Sequence, residues 1–137
     1  MKKNIEILAP AGTMESLYAA VSNGANAIYL GGKTFGARAY AGNFDEQELK
    51  QAIAYAHERN VKIYVTTNIL VMDSEVTDFL EYVSFLYQND VDALIIQDIG
   101  MVHLLRNIFP NMPLHSSTQM TVINSLDTLY VKKLGIE

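Results

Sequence analysis

Five stretches of hydrogen-bonding or conformationally permissive residues recur along this 137-residue chain, each directly after a short apolar run. They are Pro10-Ala11-Gly12-Thr13, Gly31-Gly32-Lys33-Thr34, Thr66-Thr67-Asn68, Gln97-Asp98 and Ser116-Ser117-Thr118-Gln119. Amides and hydroxyls dominate them, and such groups hold a polar ligand by directional hydrogen bonds. The alternative is that strand ends simply exit into water. Arg38 is the best anion-binding candidate, its other reading being a surface ion pair. Asp98 reads either as an acid–base group or as a helix cap. His115 reads either as part of a ligand site or as hydrogen-bonded core.

Several other chemistries find no support. Gly31-Gly32-Lys33-Thr34 invites a phosphate-loop reading, but that motif needs a glycine where Ala27 stands, inside an expected strand. The glycine pair is expected to give the chain special dihedrals or a close approach to a ligand. His57 and His103 fall on separate expected helices and read as surface or packing residues. No paired histidines, carboxylate cluster or Ser-His-Asp set stands out, so neither a metal site nor a catalytic nucleophile is expected.

The elements that must carry these stretches alternate in type. Strand-like runs are Ile5–Leu8, Ala27–Leu30, Lys62–Thr66, Ala93–Ile96 and Pro113–Ser116, with starts 20 to 35 residues apart. That spacing fits a βα unit and not a hairpin, so the sheet is expected to be parallel, with ligands at the carboxyl ends of its strands. Thr13 caps a first helix that ends at Gly24, and Asp45 with Glu48 forms a capping-box variant before a second. Val76, Phe79, Leu80, Val83, Leu86 and Tyr87 follow helical spacing. A fourth helix is expected from about Met101 to Phe109, stopped by Pro110, and a fifth from Ser125 to Leu134, ended by Gly135. Leu134-Gly135-Ile136-Glu137 then repeats the helix-to-strand joint seen at Asn23–Ile28 and Asn89–Leu94.

Strand alternation refines the candidates. With Ile63 and Val65 facing helices, Tyr64, Thr66 and Asn68 turn inward. With Leu114 outward, His115, Ser117 and Gln119 turn inward. The long segment through Phe35, Arg38, Tyr40 and Phe44 exceeds ordinary loop lengths, and such loops are commonly functional, often lids.

Composition bounds the rest. At 50% hydrophobic and 18% charged, this is a folded globule. One domain over residues 1–137 is expected, α/β in class and built of parallel βα repeats. About five units are visible, whereas a closed eight-unit barrel takes roughly 250 residues. No apolar run reaches membrane-spanning length and no signal peptide follows the basic start, so a cytoplasmic protein without membrane contact is expected. The absence of cysteine removes disulfides and thiolate metal sites. A net charge of −5 argues against a general nucleic-acid-binding surface while leaving room for a local basic patch. An open set of strands leaves unpaired edges, so a homo-oligomer is expected.

The same residues resemble a known family. Leu8-Ala9-Pro10-Ala11-Gly12 with Glu15-Ser16-Leu17 and Ala19-Ala20-Val21 resembles the opening of the collagenase-like peptidases of family U32. So do Gly24-Ala25, Ala27 to Gly32, Phe35, Ala37-Arg38-Ala39 and Asn43-Phe44. Val65 to Asn68, Ile96-Gln97-Asp98 with Gly100, and His115 through Met120 extend the resemblance over essentially the whole chain. It implies a partial TIM barrel, the N-terminal part of the family's domain. Its rim motifs map onto Gly31, Gly32, Arg38, Asn68, Gln97, Asp98, His115, Thr118 and Gln119 as ligand-binding candidates, with no catalytic residue assigned.

The family name implies a peptidase, some members being described as collagenases. Other branches resemble oxygen-independent hydroxylation proteins acting on tRNA, ribosomal RNA or a quinone precursor. Those are associated with iron–sulfur clusters and, for some RNA hydroxylations, with prephenate as the oxygen source. The cysteine-bearing signature of the family lies beyond position 137. The resemblance therefore implies no cofactor in this chain and an iron–sulfur cluster in the intact family protein. The leading expectation is a peptidase, this chain being a truncated N-terminal barrel fragment with a peptide substrate. The alternatives are part of a hydroxylation protein acting on tRNA or rRNA, and a non-catalytic half-barrel binding module.

Overall fold

The computed structural model describes residues 5–38 and 42–137. Ala39 and Tyr40 of the long loop lie outside the described residues, as does the basic start of the chain. Strands and helices alternate as β1 (Leu8–Pro10), α1 (Met14–Ser22), β2 (Ala27–Gly31), α2 (Glu46–His57), β3 (Lys62–Thr67), α3 (Val76–Gln88), β4 (Ala93–Ile96), α4 (Ile99–Ile108), β5 (Leu114–Ser116) and α5 (Ser125–Lys133). Short 3₁₀ turns at Asp73–Glu75 and Thr118–Met120 complete the described elements.

All neighbouring strands are parallel, and they pair in the order β1-β2-β3-β4-β5. That order decides the architecture. A parallel crossover is right-handed, so a sheet that always grows in one direction keeps its helices on one side. A doubly wound sheet would reverse its order partway. The helices therefore cover a convex face, and the other face is the concave interior of a barrel segment.

The two faces are packed differently. On the convex side Ile28, Leu30, Ile63, Val65, Leu94, Ile96 and Leu114 are fully buried against residues such as Leu17, Leu49, Phe79, Leu86 and Leu105. On the concave side Ala27, Tyr64 and Ala93 form a separate small cluster with Tyr29 and Ile95. Alternation along each strand produces this division, as expected for Ile63 and Val65 against Tyr64.

Local chemistry fixes the helix starts. The Ser16 amide donates to the Thr13 hydroxyl across 3.2 Å. Asp45 and Glu48 form the reciprocal capping box, each carboxylate accepting from the other's backbone N–H at 2.9 Å. Gly24 and Gly135 take left-handed φ values of 88° and 85° at the ends of α1 and α5. Beyond Gly135, Ile136 is buried and the Glu137 N–H donates to the Leu114 carbonyl across 2.9 Å. The chain is thus already lying alongside β5 in the manner of a further parallel strand.

Two elements start more than one residue from where they are expected. The first strand occupies Leu8–Pro10 instead of Ile5–Leu8, because its ladder partner β2 starts at Ala27 and pairs with Leu8. Ile5 and Ile7 are left exposed. The fourth helix starts at Ile99, two residues early, because Asp98 caps it.

The glycine pair also behaves differently. Among the described residues only Gly24 and Gly135 are glycines with positive φ, so Gly31 and Gly32 need no special dihedrals. What they need is space. A Cβ on Gly32 would overlap the Tyr82 hydroxyl, and one on Gly31 would lie 3.0 Å from Thr66 Oγ1. Among the described residues, no helix is long and apolar enough to cross a membrane.

Candidate functional site

A cavity of about 570 Å³ opens at the carboxyl ends of the strands. The loops after β1, β2, β3 and β5 build it. Pro10, Ala11 and Gly12 come from the first, Gly31, Arg38 and Asn43 from the second, Thr66 and Asn68 from the third, and Ser116 through Gln119 from the last. Tyr29 and Ile95 contribute from the concave face.

Hydrogen bonds tie these loops to one another. Asn68, just past β3, accepts the Ala37 N–H at Oδ1 across 3.0 Å and donates from Nδ2 to Ser117 Oγ across 3.3 Å. One amide therefore joins the loop after β2 to the loop after β5, reaching over β4. Ser117 Oγ accepts a second bond from the Gln119 N–H at 3.2 Å. Asn43 Nδ2 donates to the Arg38 carbonyl across 2.8 Å, which shapes the segment carrying the Arg38 guanidinium.

The long loop is pinned rather than free at its described ends. Phe44 is buried, its N–H donating to the Gly31 carbonyl across 3.0 Å. Phe35 meets Phe79 edge to face at 5.3 Å between ring centroids.

Of the nine candidates, Gly31, Arg38, Asn68, Thr118 and Gln119 line the cavity. The other four fall outside the lining, three of them held by identifiable contacts. Gly32 is buried against Tyr82, beneath the loop. Gln97 is half-buried beside the cavity lining without belonging to it. Asp98 spends one oxygen on the Met101 N–H at 3.0 Å and the other on the Val71 N–H at 3.1 Å, which makes it a cap and a loop clamp. His115 sits lower on the concave face, its ring edge-on to Tyr64 with centroids 4.7 Å apart. Ser117, expected to turn inward but absent from the nine rim candidates, and Asn43, named only within the family resemblance, also line the cavity. Inward alternation on the fifth strand was the one available signal for Ser117.

Below the cavity lies a second polar group. Tyr64 donates its hydroxyl to Glu6 Oε1 across 2.8 Å, and Lys62 Nζ reaches Glu6 Oε2 at 3.2 Å. The Tyr64 hydrogen bond, more than Lys62, lowers the Glu6 carboxyl below its usual value. Burial, reinforced by Glu6, raises the Tyr64 phenol. Burial also lowers the His115 imidazole, against the pull of Glu137 and Glu6. On the opposite side of the sheet, His57 Nε2 meets Asp92 Oδ2 at 2.9 Å, and the same oxygen accepts the Ile63 N–H at 2.7 Å. Asp92 thereby ties the end of α2 and the start of β3 to the joint before β4.

The donor set suits a polar organic ligand and not a metal cluster. The 137 residues include no cysteine. Among the described residues no three His, Asp or Glu side chains come together as a metal site. An iron–sulfur cluster therefore does not fit these residues, and its ligands would have to come from outside them.

Sequential parallel βα units with a polar cavity at the strand ends define a segment of a TIM-barrel-like protein. The profile of peptidase family U32 matches residues 12–137, and the chain belongs to that family. It is similar to tRNA hydroxylation protein P1 of Bacillus subtilis, 34% identical over 135 residues, covering 98% of this chain and 32% of that protein. Similarity to the uncharacterized protease MJ0090 of Methanocaldococcus jannaschii is 36% over 131 residues, 96% of this chain and 32% of that protein. The 23S rRNA 5-hydroxycytidine C2501 synthase of Escherichia coli is 37% identical over 118 residues, 86% of this chain and 18% of that protein. The chain thus spans about a third or less of each of these three relatives. The solved structure of the U32 peptidase Mk0906 superposes with a TM-score of 0.76 at 12% identity, over 99% of this chain and 58% of that one, a likeness of fold.

Proposed function

We propose that these residues form part of the substrate-holding barrel of an RNA hydroxylation protein, the cavity receiving a single base turned out of its strand. The observation that carries this reading is the lining: side-chain amides and hydroxyls from the loops after β2, β3 and β5, tied together by Asn68, around about 570 Å³. That volume lies in the usual range for small-molecule sites of roughly 300–1,000 Å³. Enzymes that modify a base extrude it into such a pocket and read its edge by hydrogen bonds. Arg38 at the mouth offers a partner for a phosphate oxygen. The relatives named for tRNA and rRNA hydroxylation point the same way. With a net charge of −5, most phosphate contacts would come from elsewhere in the intact protein. An iron–sulfur cluster held by residues outside these 137, and a cytoplasmic location, belong to the same proposal.

Deleting the gene and profiling total RNA nucleosides by mass spectrometry tests the reading. A hydroxylated nucleoside should disappear and return with the wild-type gene. An unchanged nucleoside profile would overturn it. The relative named as an uncharacterized protease keeps a peptidase as the second reading. Gelatin hydrolysis by the intact protein, with an unchanged RNA profile on deletion, would favour that instead.

A further inference from the structure

Ser117 is 3% exposed, yet it lines the cavity. Its oxygen accepts two hydrogen bonds, from Asn68 Nδ2 at 3.3 Å and from the Gln119 N–H at 3.2 Å. The direction of the first bond is fixed by its surroundings. The Ala37 N–H can only donate, so the Asn68 atom facing it at 3.0 Å must be the carbonyl oxygen. The NH₂ group is then the one that faces Ser117. A hydroxyl offers two acceptor positions and one proton. Both acceptor positions are filled, and among the described residues no group accepts the proton.

We propose that Ser117 is a specificity-determining donor that gives its hydroxyl hydrogen bond to an acceptor oxygen of the bound ligand, and that Asn68 holds it in the donating state. Two N–H groups pointing at one oxygen polarise the O–H and strengthen it as a donor. A ligand presenting a carbonyl oxygen at that point satisfies the last valence of a buried group. One presenting an N–H there meets a proton against a proton. Under the reading that this cavity receives an RNA base, on which the inference rests, the partner is a base carbonyl. Asn68 acts through Ser117 and is a positioning residue.

Asn68→Asp separates this role from mere packing, because it is nearly isosteric. A carboxylate still accepts the Ala37 N–H, but its second oxygen accepts where the amide donated. It draws the Ser117 proton to itself and away from the cavity. In the intact protein, restored to a strain lacking the gene, Asn68→Asp and Ser117→Ala should each cut the hydroxylated fraction of the target nucleoside about 10- to 100-fold. Ser117→Thr, which keeps the hydroxyl, should stay within a few-fold of wild type. The double variant should be no worse than Ser117→Ala alone. Thermal melting checks that each variant is folded.

A folded Asn68→Asp or Ser117→Ala variant with wild-type modification would overturn the inference while leaving the RNA reading intact. If deletion of the gene leaves RNA unchanged, the RNA reading is what fails. Titration of the intact protein with cytidine 5′-monophosphate then decides separately. Weakening by the same two substitutions supports the donor role, and equal or absent binding by wild type and both variants overturns it.

Discussion

The convex and concave faces of this sheet are made by the same five strands and obey different rules. On the convex face, Ile28, Ile63, Leu94 and Leu114 are apolar, fully buried and satisfied by volume alone. On the concave face, Tyr64, His115, Asn68 and Ser117 are held by orientation, each through a ring edge or a directed hydrogen bond. One face therefore carries the stability of the fold, and the other keeps its polar groups available. Substitutions should separate the two: volume changes ought to be costly on the convex side, and changes of hydrogen-bonding sense on the concave side.

The largest effect on stability is expected at Phe79, which is fully buried and meets Phe35 edge to face. Phe79→Ala should destabilise the intact protein by about 3–5 kcal/mol in denaturant unfolding. A cost below 1 kcal/mol would break the contrast. Next comes Gly32→Ala, which drives a methyl into the Tyr82 hydroxyl. It should cost about 1–3 kcal/mol, partly recovered in the double variant with Tyr82→Phe. Failure of that rescue would show that the glycine is required for another reason.

On the concave face the effects should be smaller and should depend on pH. Tyr64→Phe removes the bond to Glu6 and should cost about 1 kcal/mol near neutral pH. Because that bond lowers the Glu6 carboxyl below 4.5, its contribution is present above this value and is lost as pH falls through the depressed one. The penalty of Tyr64→Phe should shrink on acidification over that window. His115 has the same sign for a different reason. Its folded value is depressed below 6.5, so as pH falls through 6.5 the unfolded chain takes the proton first and stability declines. His115→Phe should flatten that decline, and melting curves from pH 7 to 5 would read it. The smallest change is expected for Lys33→Ala, since the Lys33–Asp45 contact at 3.4 Å is exposed and screened by solvent, and its melting curve should overlay that of wild type.

Most of the fold could be read from the chain because its signals are local. Apolar runs and capping residues such as Thr13, Asp45 and Asp98 act within a few positions of themselves. The first strand is the exception. Ile5-Glu6-Ile7 alternates like a strand, but pairing is decided by β2, which lies about 20 residues on and begins opposite Leu8. The rim divides on similar grounds. Asn68, Thr118 and Gln119 reach the cavity by following the strand direction. Asp98 was ambiguous because a cap and an acid–base group call for the same side chain, and only the Val71 and Met101 amides decide between them. Alternation turns Ser117 inward, but its hydrogen-bonding state depends on Asn68, 49 residues away in sequence, which fills one of its lone pairs.

The unbroken strand order has a consequence for how the chain acquires its shape. Among the described residues, each strand pairs beside the one that precedes it in the chain. The loops to be closed are all of similar, modest length, and closure entropy grows slowly with length. Contacts between near neighbours favour fast folding, and the chain emerges from the ribosome starting at its N-terminus. The sheet can therefore be laid down one unit at a time during synthesis, each new strand finding its template already in place.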